Sequence, residues 1–157
     1  MGYRTLIAGI GNIFLGDDGF GVEVANRLSR EPLPGWVRVE DFGIRGVHLA
    51  YELADGGYEV AVLVDATQQG EPPGTVYLIE PDLTKQPAGH LDAHTMTPEA
   101  VFQTAHALGG ISSRVLIVGC EPAQTDEGIG LSEPVTRAVD EAVRMVRSIV
   151  EQQQGGA

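Results

Sequence analysis

The segment Val60-Ala61-Val62-Leu63-Val64 contains no polar side chain and stops abruptly at Asp65. A strand with one wet face alternates apolar and polar residues, whereas a uniformly apolar strand has both faces covered. This run therefore reads as the central strand of a sheet with a layer of structure on each side. The rest of the chain supplies those layers. Residues 3–10, 37–42, 75–79 and 115–118 read as further strands. Helical spacing runs through 22–28, before Pro32 and Pro34, and through 47–54. A third helix is expected over 98–108, with Thr97 as its cap and Pro98 at its first position. The last starts near Ser132 and puts Val135, Val139, Ala142, Val146, Ile149 and Val150 on one face, leaving 152–157 as a frayed tail.

One connection departs from this alternation. Residues 66–74 hold Gly70, Pro72, Pro73 and Gly74 and have no helical pattern. A crossover between parallel strands needs a dozen or more residues, so the strand at 75–79 is expected to run antiparallel to the one at 60–64. The fold class is therefore α/β: a single domain over 1–157, with an open, twisted, mostly parallel sheet of about five strands, one antiparallel, and helices on both faces. A chain of 157 residues has the length of one such domain.

Ten Lys and Arg against 22 Asp and Glu leave a net charge of -12. That surface repels phosphate backbones and anionic lipid, so neither nucleic acid nor membrane is an expected partner. It also favours a monomer, because like charges repel. The one cysteine, Cys120, makes neither an internal disulfide nor a multi-thiolate metal site. With no signal-peptide pattern and no stretch long enough to span a bilayer, the expected location is the cytoplasm.

Ligands of open α/β sheets gather beyond the carboxyl ends of the parallel strands. Four loops qualify: 11–21, 41–46, 65–67 and 119–130. The first follows Gly9-Ile10-Gly11-Asn12, yet Phe14 stands where a dinucleotide fingerprint would have its third glycine. Asp17 and Asp18 then stand where a pyrophosphate would need backbone N–H groups. Adjacent carboxylates are costly unless one is protonated, solvated or bound to metal. Alternatively, Asp17 caps the following helix and Asp18 is solvated at the positive end of its dipole. Neighbouring side chains diverge, so one of the two is expected to face the cleft.

Asp65 ends the central strand, at a common ligand or catalytic position, with a backbone-bonding turn residue as the plainer alternative. The long, aperiodic stretch 81–97 carries His90, Asp92 and His94. Asp18, Asp65 and His94 together offer two carboxylates and an imidazole, a set suited to a borderline divalent metal such as nickel or zinc. His48 and His106 fall within helices, as surface or packing residues. Cys120 reads as a small buried hydrophobe rather than a nucleophile.

These residues resemble the hydrogenase maturation proteases, endopeptidases that process the large subunits of nickel–iron hydrogenases. The likeness rests on Gly9-Ile10-Gly11-Asn12 followed by Asp17-Asp18-Gly19-Phe20-Gly21. It continues through Val64-Asp65-Ala66, Pro73-Gly74-Thr75, Asp92-Ala93-His94, Gly119-Cys120-Glu121-Pro122 and Gly128-Ile129-Gly130-Leu131-Ser132, in the family's order. The resemblance implies a metal-dependent endopeptidase with nickel ligands on Asp18, Asp65 and His94. The nickel would be that already inserted in the hydrogenase large-subunit precursor, read as proof of loading before a C-terminal peptide is removed. Asp17 or Asp18 would act as general base in metal-assisted amide hydrolysis. Asp41-Phe42-Gly43-Ile44-Arg45-Gly46 departs from the family's more usual Asp-Gly-Gly-Thr kind of loop, so Arg45 is expected to alter substrate contacts and the choice of hydrogenase is left open. Two other readings stand beside this one: a non-enzymatic nickel-dependent chaperone of the same precursor, and a hydrolase using Cys120.

Overall fold

The computed structural model describes residues 2–84 and 97–155. Five strands form one sheet: β1 (Thr5–Ile10), β2 (Val37–Gly43), β3 (Val60–Ala66), β4 (Val76–Ile79) and β5 (Arg114–Cys120), in the order β2-β1-β3-β5-β4. The first three and β5 are mutually parallel, and β4 runs antiparallel along the edge of β5. Four α-helices accompany them among the described residues: α1 (Phe20–Leu28), α2 (Gly46–Asp55), α3 (Pro98–Ala107) and α4 (Glu133–Gly155). None is long and apolar enough to cross a membrane.

The uniformly apolar β3 is central because it feeds two cores. Val62 and Val64 pack on one face with Phe20, Val24 and Leu28 of α1 and with the Val135–Val150 stripe of α4. Ala61 and Leu63 point the other way, toward Leu49 and Leu53 of α2 and Val101 and Ala105 of α3. This is the two-residue period of a strand, with each half of the run serving one layer. Full burial of a side chain such as Leu63 or Phe20 contributes about 1.5–3 kcal/mol.

The direction of β4 is as expected, but its partner is β5 rather than β3. Val115 to Cys120 are all buried and need neighbours on both sides, whereas β4 is only partly buried and suits an edge. The last helix also exceeds expectation. It continues to Gly155, and Gln153 accepts a hydrogen bond from the Thr5 hydroxyl at 3.0 Å, tying the final turn to the start of β1. At α3, Thr97 caps as expected, its hydroxyl accepting the Ala100 N–H at 3.2 Å.

Two glycines fix how closely α1 approaches the sheet. A Cβ on Gly21 would lie 2.0 Å from the Val64 carbonyl oxygen and 2.5 Å from that of Ile10, so the helix starts against bare strand backbone. Gly11 has a φ of 135°, and a Cβ there would lie 1.9 Å from the Asp18 carbonyl oxygen. These glycines thus let the start of α1 and the turn before it approach neighbouring backbone closely.

Candidate functional site

The chain leaves β1 to one side for β2 and returns on the other side as β3. This reversal makes a switch point, where the carboxyl ends of two parallel strands leave a crevice between their loops. A cleft of about 1190 Å³ opens there. Asn12, Leu15, Asp18 and Asp65 line it, together with Ile44, Arg45, Val47 and His48 around the start of α2 and Thr97 to Val101 at the start of α3.

Asp18 lies on a short 3-10 turn, Gly16–Gly19, and its Oδ2 accepts the Asn12 N–H at 2.8 Å. Burial raises its pKa, and the Asn12 hydrogen bond only partly opposes that. Asp65 is 4% exposed, and its Oδ1 accepts the Ala66 N–H at 2.8 Å. Burial pushes its carboxyl well above the usual range, with the charge of Asp18 and then that of Glu99 adding to the rise against the Ala66 hydrogen bond. No ion pair among the described residues reaches either carboxylate. Two such groups in one cleft are stabilised by sharing a proton or by a cation.

Asp17 faces away from that pair. It is fully buried, and its Oδ1 accepts the Ser132 N–H at 2.7 Å. Its Oδ2 accepts the Ser132 hydroxyl at 2.8 Å, the Ala123 N–H at 2.8 Å and the Gln124 N–H at 3.2 Å. Burial alone would raise its pKa, but these bonds outweigh burial and hold it below the usual value. The expectation that Asp17 caps α1 is corrected: the residue flanking that helix is Gly19, with no side-chain cap, and the carboxylate of Asp17 is taken up by the 123–132 loop. The divergence of neighbouring side chains is observed, with Asp18 facing the cleft.

His94, with His90 and Asp92, lies outside the described residues. Among the described residues no group of three His, Cys, Asp or Glu side chains is arranged to hold a metal ion. The donor chemistry of Asp18 and Asp65, two hard oxygen ligands without a cationic partner, fits a divalent cation that brings or finds further ligands elsewhere. His48, expected as a surface or packing residue, is exposed in the cleft lining.

Glu121 was not singled out from the sequence. It is 5% exposed, and its Oε1 accepts the Tyr77 hydroxyl at 2.6 Å and the Gln69 and Glu71 N–H groups at 2.8 and 3.2 Å. The Tyr77 bond leads the causes that lower its pKa, so it is an ionised anchor for the strip carrying Gln68 and Gln69 along the cleft. Its signal was that of Asp65: a carboxylate straight after a fully apolar strand.

Cys120 is fully buried in the core shared with α1 and α4. Burial, then the charges of Asp17, Glu121 and Glu141, push its thiol up to about 12, so no thiolate nucleophile forms near neutral pH. Cys120→Ala is expected to retain nearly full catalytic activity and to cost about 1 kcal/mol of stability. A large loss of turnover in a variant of unchanged fold would overturn that assignment.

Residues 22–149 match the family described as hydrogenase maturation protease. The hydrogenase expression/formation protein HupD of Rhodobacter capsulatus is 31% identical over 153 residues, spanning 92% of this chain and 72% of that protein. The crystal structure of a nickel–iron hydrogenase maturation protease, HycI from Thermococcus kodakarensis, superposes with a TM-score of 0.72 at 28% identity, covering 94% of this chain and 90% of the other. The hydrogenase maturating endopeptidase HybD from E. coli has the same fold, with a TM-score of 0.80 at 23% identity over 96% of this chain and 93% of that one.

Proposed function

Since this chain belongs to the hydrogenase maturation protease family, we propose that it removes a C-terminal peptide from the large-subunit precursor of a nickel–iron hydrogenase, and that the nickel ion carried by that precursor is the signal it reads. The observation that carries the proposal is the pair Asp18 and Asp65: two cleft carboxylates, both pushed upward in pKa, with no cation beside them among the described residues. A metal-loaded chain end supplies the positive charge that an unloaded one lacks. Asp18 and Asp65 serve as the protease's ligands to that substrate ion, and His94 is the third.

The reaction is hydrolysis of one amide. Water adds to the scissile carbonyl carbon, the C–N bond breaks, and the proton lost by water ends on the departing amine. The precursor's nickel supplies Lewis acidity toward that carbonyl or water. We assign the proton transfer to Asp18, which faces the cleft and whose Oδ2 accepts one hydrogen bond, from the Asn12 N–H. Asp17, with four donors on its two oxygens, holds the turn that presents Asp18.

Intact-mass spectrometry of a matched full-length precursor, with and without nickel, tests the reading. Loss of a C-terminal peptide from the nickel-loaded form alone is the expected result. An unchanged mass alongside a stable nickel-dependent complex would replace the protease with a non-enzymatic chaperone. Cleavage regardless of nickel would remove the metal-sensing role from Asp18, Asp65 and His94.

A further inference from the structure

The cleft carries charges of both signs. Asp18, Asp65 and Glu99 put three carboxylates in its lining. Among the described residues that line it, Arg45, just before α2, is the one Arg or Lys. In a chain of net charge -12, a fixed cation at this place demands a reason.

Arg45 is held rather than free. One guanidinium NH2 donates to the Asp41 carbonyl, and the group lies over the Phe42 ring, 5.5 Å from its centroid. The loop beneath is tied to the backbone beside Asp18. The Arg45 N–H donates to the Phe42 carbonyl at 2.8 Å, Gly43 takes a φ of 53°, and its carbonyl accepts the Gly11 N–H at 2.9 Å. Gly11 adjoins Asn12, whose N–H binds Asp18. A short run of backbone hydrogen bonds therefore fixes the guanidinium relative to the reacting end of the cleft.

Its charge is also incompletely matched. The nearest carboxylate, Glu40, is 3.7 Å away and is already engaged by Arg38 at 2.5 Å. A guanidinium has five N–H donors in a planar fork suited to a carboxylate, and the Asp41 carbonyl uses one. Resting on the processing function proposed above, we infer that Arg45 is a specificity-determining residue that takes a carboxylate of the precursor's C-terminal segment. That carboxylate belongs either to an Asp or Glu side chain or to the chain terminus; the recognition chemistry is the same. The segment then lies across the cleft with its metal-bearing part over Asp18 and Asp65 and its acidic group toward α2. Charge at such a place selects partners and sets register more than it sets the rate of the chemical step.

The test uses the full chain and nickel-loaded, full-length precursor, with kcat and KM measured separately. Arg45→Gln is expected to lower kcat/KM about tenfold and Arg45→Glu about a hundredfold, both through KM, while Arg45→Lys retains more activity than either. Precursors with each acidic residue of the C-terminal segment changed to Lys locate a side-chain partner, because one of them restores cleavage by the Glu variant. A precursor extended by several neutral residues displaces the terminal carboxylate, and reduced cleavage by the wild type alone identifies that source. Equal kcat/KM for wild type and Arg45→Glu would overturn the inference, as would a loss confined to kcat or one that no precursor carboxylate accounts for. Failure of the wild type to process any precursor would instead overturn the function on which the inference rests.

Discussion

If nickel acts as proposed, Asp65→Asn is expected to lower processing on the order of a thousandfold, since a metal ion contributes several kcal/mol to such a transition state and this carboxylate is one of the two proposed ligands among the described residues. The same change is expected to make the folded protein harder to melt. An amide of nearly the same shape still accepts the Ala66 N–H, yet it removes a buried charge that faces Asp18 and Glu99. In the wild type, Asp65 holds its proton more tightly when folded than when unfolded. Stability from that proton is complete below 3.8, the ordinary value, and is lost as pH rises through the folded pKa. The neutral variant escapes that loss. Its advantage should be absent in acid and reach about 1–2 kcal/mol on the alkaline side, a gain typical of relieving a functional strain. Thermal melts across the pH range, read beside the precursor assay, check both halves. An inactive variant that is also less stable at neutral pH would make Asp65 a structural residue.

Asp17→Ala should do the reverse. Its carboxylate joins three pieces of chain: the Gly16–Gly19 turn, the residues after β5 and the start of α4. Removing it strips the partner from three N–H groups and one hydroxyl. Hydrogen bonds to a charged group contribute about 1.5–3 kcal/mol each, and with incomplete additivity the expected cost is about 4 kcal/mol. For a domain of this length that lowers the melting temperature by about 10 °C. The pH dependence has the opposite sign from Asp65. The folded pKa of Asp17 is depressed, so its contribution is present above 3.8 and disappears as pH falls through the folded value. A calorimetric comparison in which Asp17→Ala matched the wild type at neutral pH would refute the clamp. Asp17 and Asp65, one stabilising and the other destabilising near neutrality, are thus separable by melting curves alone.

Which of Asp17 and Asp18 enters the cleft was the part of the site the sequence could not deliver. Asp65 was legible because an apolar strand ending in a carboxylate has few structural explanations. Asp17 and Asp18 were legible as a pair, but the turn that sends one inward and the other to the cleft is decided by Ser132, more than a hundred residues away. Glu121 carried the same mark as Asp65 and was passed over beside the more conspicuous Cys120. Arg45 was visible as a departure in its loop, whereas its place in the cleft lining depends on the hydrogen bond between Gly43 and Gly11. His48 was hidden for a related reason. A helical stripe reveals the face that is buried, here Leu49 and Leu53, and says nothing of what the other face overlooks. The strand directions followed from connection lengths, but β5 lying between β3 and β4 did not, because an apolar run records burial and not neighbours.

The bare contact of Gly21 with β1 and β3 bears on how variants of this scaffold would be ranked. In a library selected only for solubility, with no hydrogenase present, position 21 should tolerate nothing but glycine, because any Cβ would collide with carbonyl oxygens of two different strands. Gly9 falls under the same constraint, a Cβ there meeting the Gly21 carbonyl oxygen at 2.3 Å. Invariance at these sites would thus be a signature of assembly. Asp65, where a neutral residue should survive that screen and even be enriched, would show selection for chemistry by reverting only when processing is demanded.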